Sequence, residues 1–231
     1  MDAPVAITPD TTIYEAMQIM QEHNCAYCGV VDTTQHLLGM VTKSDISVVG
    51  LDDTARSIDI LAHTSCENIR KTINGAIIYD DPQVAINGKV SIIAMTRPER
   101  LDHYEVEKRI VIVGADTMAQ KKCIQLGAGM LIVVWADTVA DEVIEEARVH
   151  HCPILLSGHG TMNTSRYLYF APSVERIMKK NPVCFHTNEL TEDVGVRCCG
   201  TGIAPIRYLM QTSSLSATFP ATILWMHRSA S

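Results

Sequence analysis

No window of the sequence reaches the roughly 18 consecutive apolar residues that a membrane-spanning helix requires. The first ten residues, Met1 to Asp10, carry Asp2 and two prolines but no basic stretch followed by an apolar one, so no secretory leader is read there. These two absences predict a cytoplasmic protein without a membrane partner. Positive charge is also scarce: 19 Lys and Arg stand against 26 Asp and Glu, a formal charge of −7. Holding a phosphate backbone by counterion release needs a basic face, so nucleic acid is not an expected partner. Aromatic residues are only 5%, yet 47% of the chain is hydrophobic and 19% charged, the balance of a globular protein and not of a disordered one. At 231 residues one or two domains are expected. The eight cysteines follow no disulfide framework, and in a cytoplasmic chain they are read as reduced thiols. Cys25-Ala-Tyr-Cys28 lacks the second pair or flanking His that zinc would require and is read as part of a buried strand. Gly-x-Ser-x-Gly, P-loop and His-Glu-x-x-His motifs are missing too, so no catalytic nucleophile or metal site presents itself.

What is there begins with a strand, helix, strand, strand, helix pattern. Val5 to Thr8 is a short extended run closed by Pro9-Asp10, and Thr12 with Glu15 forms a capping box for a helix with Ile13, Ala16, Met17 and Met20 on one face. Cys25 to Val31 and Leu37 to Val41 are β-rich, and the turn residues Asp32 to His36 between them predict a hairpin. Thr42-Lys43-Ser44-Asp45 then supplies cap residues for a following helix. A further helix is predicted over Thr64 to Ile78, boxed by Thr64 and Glu67.

From Lys89 the pattern changes. Val90 to Met95, Arg109 to Val113, Met130 to Val134 and Pro153 to Leu156 are continuous apolar runs, with helices expected near Met118 to Leu126 and Thr138 to His150, the latter boxed by Asp141. Unbroken apolar strands separated by amphipathic helices predict a mostly parallel sheet covered on both faces. Gly127-Ala128-Gly129 precedes a strand, whereas a dinucleotide-binding loop must follow one, so these glycines are read as a helix stop. His150-His151-Cys152 and His159 lack metal-ligand spacing and are read as cationic residues at a helix C-terminus. At Pro182-Val183-Cys184-Phe185 and Thr191-Glu192-Asp193-Val194 the opening pattern of Pro4 to Ala16 returns, the start of an internal repeat.

The first segment, with Val30-Val31-Asp32 and Gly39-Met40-Val41-Thr42-Lys43-Ser44-Asp45 in a βαββα order, resembles a CBS motif. The middle block resembles a DRTGG domain, through Val113-Gly114-Ala115-Asp116, Met130 to Val134, and His159-Gly160-Thr161 to Arg166; the eponymous five residues are absent. CBS, DRTGG and a second CBS opening in that order resemble the regulatory region of family II, manganese-dependent inorganic pyrophosphatases. The resemblance implies an α/β chain: CBS motif and connecting helix over 1–80, DRTGG-like domain over 88–178, and the start of a second CBS motif over 179–196. It implies AMP, ADP, ATP or a diadenosine polyphosphate as regulatory ligand, Asp45 on the ribose hydroxyls, Thr42 and Ser44 near phosphate, and Val30 among the nucleotide-binding residues. It also implies a homodimer working with pyrophosphatase catalytic domains that use manganese or magnesium. The family's catalytic Asp-His-His signature has no counterpart in this sequence, so no catalytic residue and no metal ligand is assigned. Two other readings stay open: a structural dimerisation module without ligand, and a phosphotransfer accessory protein with a cleft at Asp116, His159 and Thr161.

From Arg197 to Ser231 the sequence holds no Asp, Glu, Lys, Asn or Val, although all 26 acidic residues lie in the preceding 196 positions. The change is read as the mark of a frameshift near Arg197. Taking each codon's last base with the next codon's first two, Met210-Gln211 must give Ala, Trp225-Met226 must give Asp and Met226-His227 must give Ala. The remaining positions permit MLRHRYRPYPVFDAD and then VVGNVSRYHLLDA, which resembles the rest of a second CBS motif and continues the broken repeat. Residues 197–231 are therefore expected to be an out-of-frame tail.

Overall fold

The computed structural model describes residues 5–51, 54–93, 103–180 and 182. Two sheets organise them. The smaller is built on β1 (Ala6–Ile7), β2 (Tyr27–Val31) and β3 (Leu37–Thr42), with α1 (Ile13–Glu22) between the first two strands. β1 pairs parallel with β2, and β2 antiparallel with β3, so the hairpin forms as expected. Asp32 Oδ1 shapes its turn by accepting from the amides of Thr34 and His36 at 2.8 and 2.9 Å. These bonds and the Thr34 hydroxyl hold the Asp32 carboxyl below its ordinary pKa, the hydroxyl contributing most.

The capping box at α1 is present in full: Glu15 N donates to Thr12 Oγ1 at 3.0 Å, and Thr12 N donates to Glu15 Oε2 at 2.8 Å. Ile13, Ala16 and Met20 are fully buried and Met17 packs beside them. Cys28 lies buried within β2, its thiol pushed up to about 12 chiefly by burial, and Cys25 is half-buried just before the strand.

The chain continues through α2 (Lys43–Leu51), α3 (Thr54–Ala62) and α4 (Cys66–Thr72) into β4 (Ala76–Tyr79). This corrects the predicted helix over Thr64 to Ile78. Its cap is Ser65, which accepts from Asn68 N, and Asn74 then takes a left-handed φ of 47° while Gly75 N closes back on the Arg70 carbonyl. Those features end a helix, and the β-branched Ile77 and Ile78 pass into a strand. A Cβ on Gly75 would run into the Leu156 carbonyl oxygen, so glycine is required where β4 meets the larger sheet.

That sheet has the order β4, β8 (Ile154–Leu156), β7 (Met130–Val133), β6 (Ile110–Val113), β5 (Val90–Ile93). β5 to β8 are all parallel and β4 joins antiparallel at the edge. Side chains alternate between its faces with period two. Val111, Val113, Leu131, Val133 and Ile154 pack on one face with residues of α5 (Thr117–Gln125) and α6 (Asp141–Val149). Ile110, Ile112, Met130, Ile132 and Leu155 pack on the other with α4 and with Leu168 of α7 (Thr161–Leu168). Gly127, at φ 81°, follows the Leu126 cap of α5 and is the expected helix stop. α6 starts at Asp141 and not at Thr138; its N-cap is Ala140 without a side-chain bond, so the Thr138 box does not form.

The chain then returns to the first unit. Pro172 and Phe170 carbonyls accept from Ile13 N and Tyr14 N at 2.9 Å each, and Val174 and Ile177 enter the smaller core. β9 (Lys179–Lys180) pairs antiparallel with β3. The repeat opening at 183–196 and the tail at 197–231 lie outside the described residues.

Candidate functional site

Thr42 ends β3 and caps α2, as Thr12 caps α1. Asp45 N donates to Thr42 Oγ1 at 3.2 Å, and Asp45 Oδ2 accepts from Thr42 N at 2.9 Å and from Thr42 Oγ1 at 2.6 Å. The second carboxylate oxygen, Oδ1, faces Lys179 Nζ at 3.1 Å. Reciprocal capping fixes the carboxylate at the first turn of the helix, and β9 brings a cation to it from more than a hundred positions along the chain.

Asp45 lines a cavity of about 400 Å³ between α2 and α3, within the usual range of small-molecule sites. Val48 and Val49 line it from α2, and Arg56, Ser57 and Ile60 from α3. Ile177, on the segment returning from the larger sheet, completes it. Ser57 Oγ donates to the Val49 carbonyl at 2.9 Å and so ties the two helices together. Arg56 is exposed and makes no ion pair among the described residues. The cavity thus offers a fixed carboxylate acceptor, a guanidinium donor and apolar walls. That combination suits a ligand with vicinal hydroxyls, an anionic group and a flat apolar part.

Of the residues expected at the site, Thr42 and Asp45 are brought together. Ser44 stands exposed on the first turn of α2, its carbonyl accepting from Ser47 Oγ at 2.8 Å. Val30 is not brought to the cavity: its side chain is wholly buried among Ile7, Ile13 and Val41. Arg56, Ser57 and Ile177 were missed. Only the basic residue just after a predicted cap-and-helix segment could have drawn attention to Arg56.

The larger sheet gathers Asp116, His159 and Thr161 at the carboxyl ends of β6 and β8, with β7 between them. Asp116 Oδ1 is occupied as the cap of α5, accepting from Met118 N at 2.8 Å and Ala119 N at 3.1 Å. The His159 ring meets Tyr167 edge-on at 4.9 Å, and Thr161 opens α7. His151 faces an acid of the neighbouring strand end. Its Nδ1 lies 3.0 Å from Asp81 Oδ2, which also accepts from Tyr79 Oη at 2.5 Å. The tyrosine bond foremost, then the histidine, holds the Asp81 carboxyl down at about 2. Among the described residues no group of three or more His, Cys, Asp or Glu is placed to hold a metal ion, and no helix is long and apolar enough to cross a membrane.

A βαββ unit joined to a five-stranded α/β unit, with a carboxylate-lined cavity on the first, defines a two-domain CBS and DRTGG architecture. The CBS domain family matches residues 1–51 and the DRTGG domain family residues 68–170. The chain closely resembles the crystal structure of the CBS and DRTGG domains of the regulatory region of Clostridium perfringens pyrophosphatase, complexed with its activator diadenosine tetraphosphate. The TM-score is 0.74 and the identity 30%, covering 86% of each chain. The cobalt-dependent inorganic pyrophosphatase of Clostridium perfringens is 30% identical over 198 residues, 85% of this chain and 36% of that protein. A probable manganese-dependent inorganic pyrophosphatase of Thermotoga maritima is 23% identical over 178 residues, 77% of this chain and 32% of that one. This chain belongs to the family of CBS and DRTGG regulatory regions of inorganic pyrophosphatases. It spans about a third of the length of the curated relatives it matches.

Proposed function

We propose that this chain is an adenine-nucleotide-binding regulatory module of a CBS-domain inorganic pyrophosphatase and carries no catalytic region of its own. The observation that carries the reading is the cavity in which a capped carboxylate, Asp45, and an exposed guanidinium, Arg56, share apolar walls. A carboxylate held by its helix cap accepts from the two hydroxyls of a ribose, and a guanidinium answers phosphate. In this reading Asp45 takes the ribose, Thr42 holds Asp45 in place, Ser44 and Arg56 meet phosphate, and Val30 supports the sheet beneath without touching the ligand. That the similar region of the Clostridium perfringens enzyme was crystallised with diadenosine tetraphosphate supports the same ligand class.

The parent protein is then a cytoplasmic, manganese-using pyrophosphatase whose catalytic domains this module tunes, through a ligand-dependent shift between two arrangements of a homodimer. Residues 179–196 open a second CBS motif and residues 197–231 are read out of frame. Titration calorimetry of the full chain with AMP, ATP and diadenosine tetraphosphate tests the reading, with saturable binding of at least one expected. A folded protein that takes up none of them at millimolar concentration overturns it in favour of a purely structural module. Light scattering tests the assembly, where a monodisperse monomer counts against the dimer.

A further inference from the structure

We propose that Lys179 competes with the ligand for Asp45, so that a nucleotide binds by displacing this lysine and thereby loosens β9 from β3. The inference rests on the nucleotide reading of the cavity. Asp45 Oδ2 is committed to the α2 cap through two bonds from Thr42, which leaves Oδ1 as the oxygen more open to a new donor. Lys179 Nζ stands 3.1 Å from that oxygen. A ribose hydroxyl that donates to Oδ1 takes the position of the ammonium group. The exchange is feasible because the pair is only partly sheltered, with the Lys179 side chain 46% and the Asp45 side chain 15% exposed. A pair of this kind holds by roughly 1 kcal/mol or less, equivalent to about fivefold in affinity.

The strand that carries Lys179 is suited to report the exchange. β9 has two residues, paired among the described residues only through Gly39 with Lys180 and Met40 with Lys179. It lies so close to β3 that a Cβ on Gly39 would sit 2.8 Å from the Lys179 carbonyl oxygen. Ile177, two residues earlier, lines the cavity itself. A ligand in the cavity therefore touches the returning segment at Ile177 and removes a tether at Lys179. Occupancy of the first CBS unit would pass in this way to the chain that leaves the DRTGG domain.

The test compares Lys179→Met and Lys179→Gln with the unaltered full chain, titrated with adenosine and with AMP, and follows hydrogen exchange at residues 179 and 180 with and without AMP. The expected result is affinity for adenosine tighter by up to about fivefold in both variants. Exchange at 179 and 180 should be faster in the variants, and faster in the unaltered chain once AMP is bound. Unchanged adenosine affinity, or exchange slowed by AMP, overturns the competition. AMP binding weakened with adenosine unaffected places Lys179 on the phosphate and overturns it equally. An unaltered chain that binds neither ligand removes the nucleotide reading itself, and the inference with it.

Discussion

In the proposed reading Asp45 both caps α2 and meets the ligand, duties that a single alanine substitution would remove together and that a set of three substitutions separates. As the third residue of α2 it closes a capping box with Thr42, and as a wall of the cavity it offers a carboxylate to a ligand. Loss of a cap costs about 0.5 to 2 kcal/mol of stability. Loss of a charge-assisted hydrogen bond costs about 1.5 to 3 kcal/mol of binding, or roughly tenfold to 150-fold in affinity. Asp45→Asn keeps an oxygen to accept from Thr42 N but loses the charge and with it the Lys179 pair, so its unfolding free energy should fall by no more than about 1 kcal/mol while AMP affinity falls at least tenfold. Thr42→Val keeps the carboxylate and the backbone bond to it but removes the hydroxyl that accepts from Asp45 N and donates to Asp45 Oδ2, so stability should fall by about 1 kcal/mol with affinity altered less than about threefold. Asp45→Ala should show both losses. Urea unfolding and calorimetry with AMP measure the two quantities on the same preparations. If Asp45→Asn binds AMP as the unaltered chain does, or if affinity follows stability across all three variants, Asp45 is only a cap.

Three further outcomes are open to measurement. Gly88 has φ 72° and a Cβ there would run into the Ile58 carbonyl oxygen, so Gly88→Ala should cost about 2 to 4 kcal/mol in urea unfolding. Gly114, with nothing within 4 Å of its Cβ position, is the control and should be nearly neutral. Asp81 titrates at about 2 in the folded chain against an ordinary 3.8, so its contribution is fully present above pH 3.8 and is lost as pH falls towards 2. Tyr79→Phe removes the main cause and should move acid unfolding, followed by circular dichroism, to higher pH; an unmoved midpoint would falsify this account of Asp81. Finally, sequencing the coding DNA around codon 197 should reveal a second reading frame that encodes the VVGNVSRYHLLDA segment, and a frame without it ends the frameshift proposal.

Local signals were legible from the sequence wherever the physics is local. The Thr12–Glu15 box, the Asp32 turn and the Gly127 stop each involve partners within four residues, and each forms as expected. The four apolar runs also pointed to the parallel pairing of β5 to β8, since their Val and Ile content fits strands buried on both faces, while their order in the sheet was not read. The reading failed where two local signals conflicted. Ser65 stands beside Thr64 as an equally good cap, and the Ile-rich run at Ile77 and Ile78 continues a helical apolar spacing; Asn74 at φ 47° decides for a strand. At Thr138 the box pattern was present, but Val139 packs against the core and the helix begins three residues later.

The cavity was harder to see because its walls are far apart in sequence. Asp45 and Thr42 could be named as a pair since the cap geometry needs only their spacing of three. Arg56 and Ser57 reach the site because α3 folds back against α2 through the Ser57 to Val49 bond, a contact that no periodicity encodes. Ile177 and Lys179 reach it only after the whole five-stranded sheet has formed and returned the chain to β3. The same return segment supplies the carbonyls of Phe170 and Pro172 to the first amides of α1 and places Val174 in the smaller core. A buried backbone amide left without a partner is costly, so the first unit depends on the second for its own helix start. The DRTGG unit is therefore more than a spacer after the CBS unit: the strand that leaves it closes the CBS sheet and carries the cation that meets Asp45.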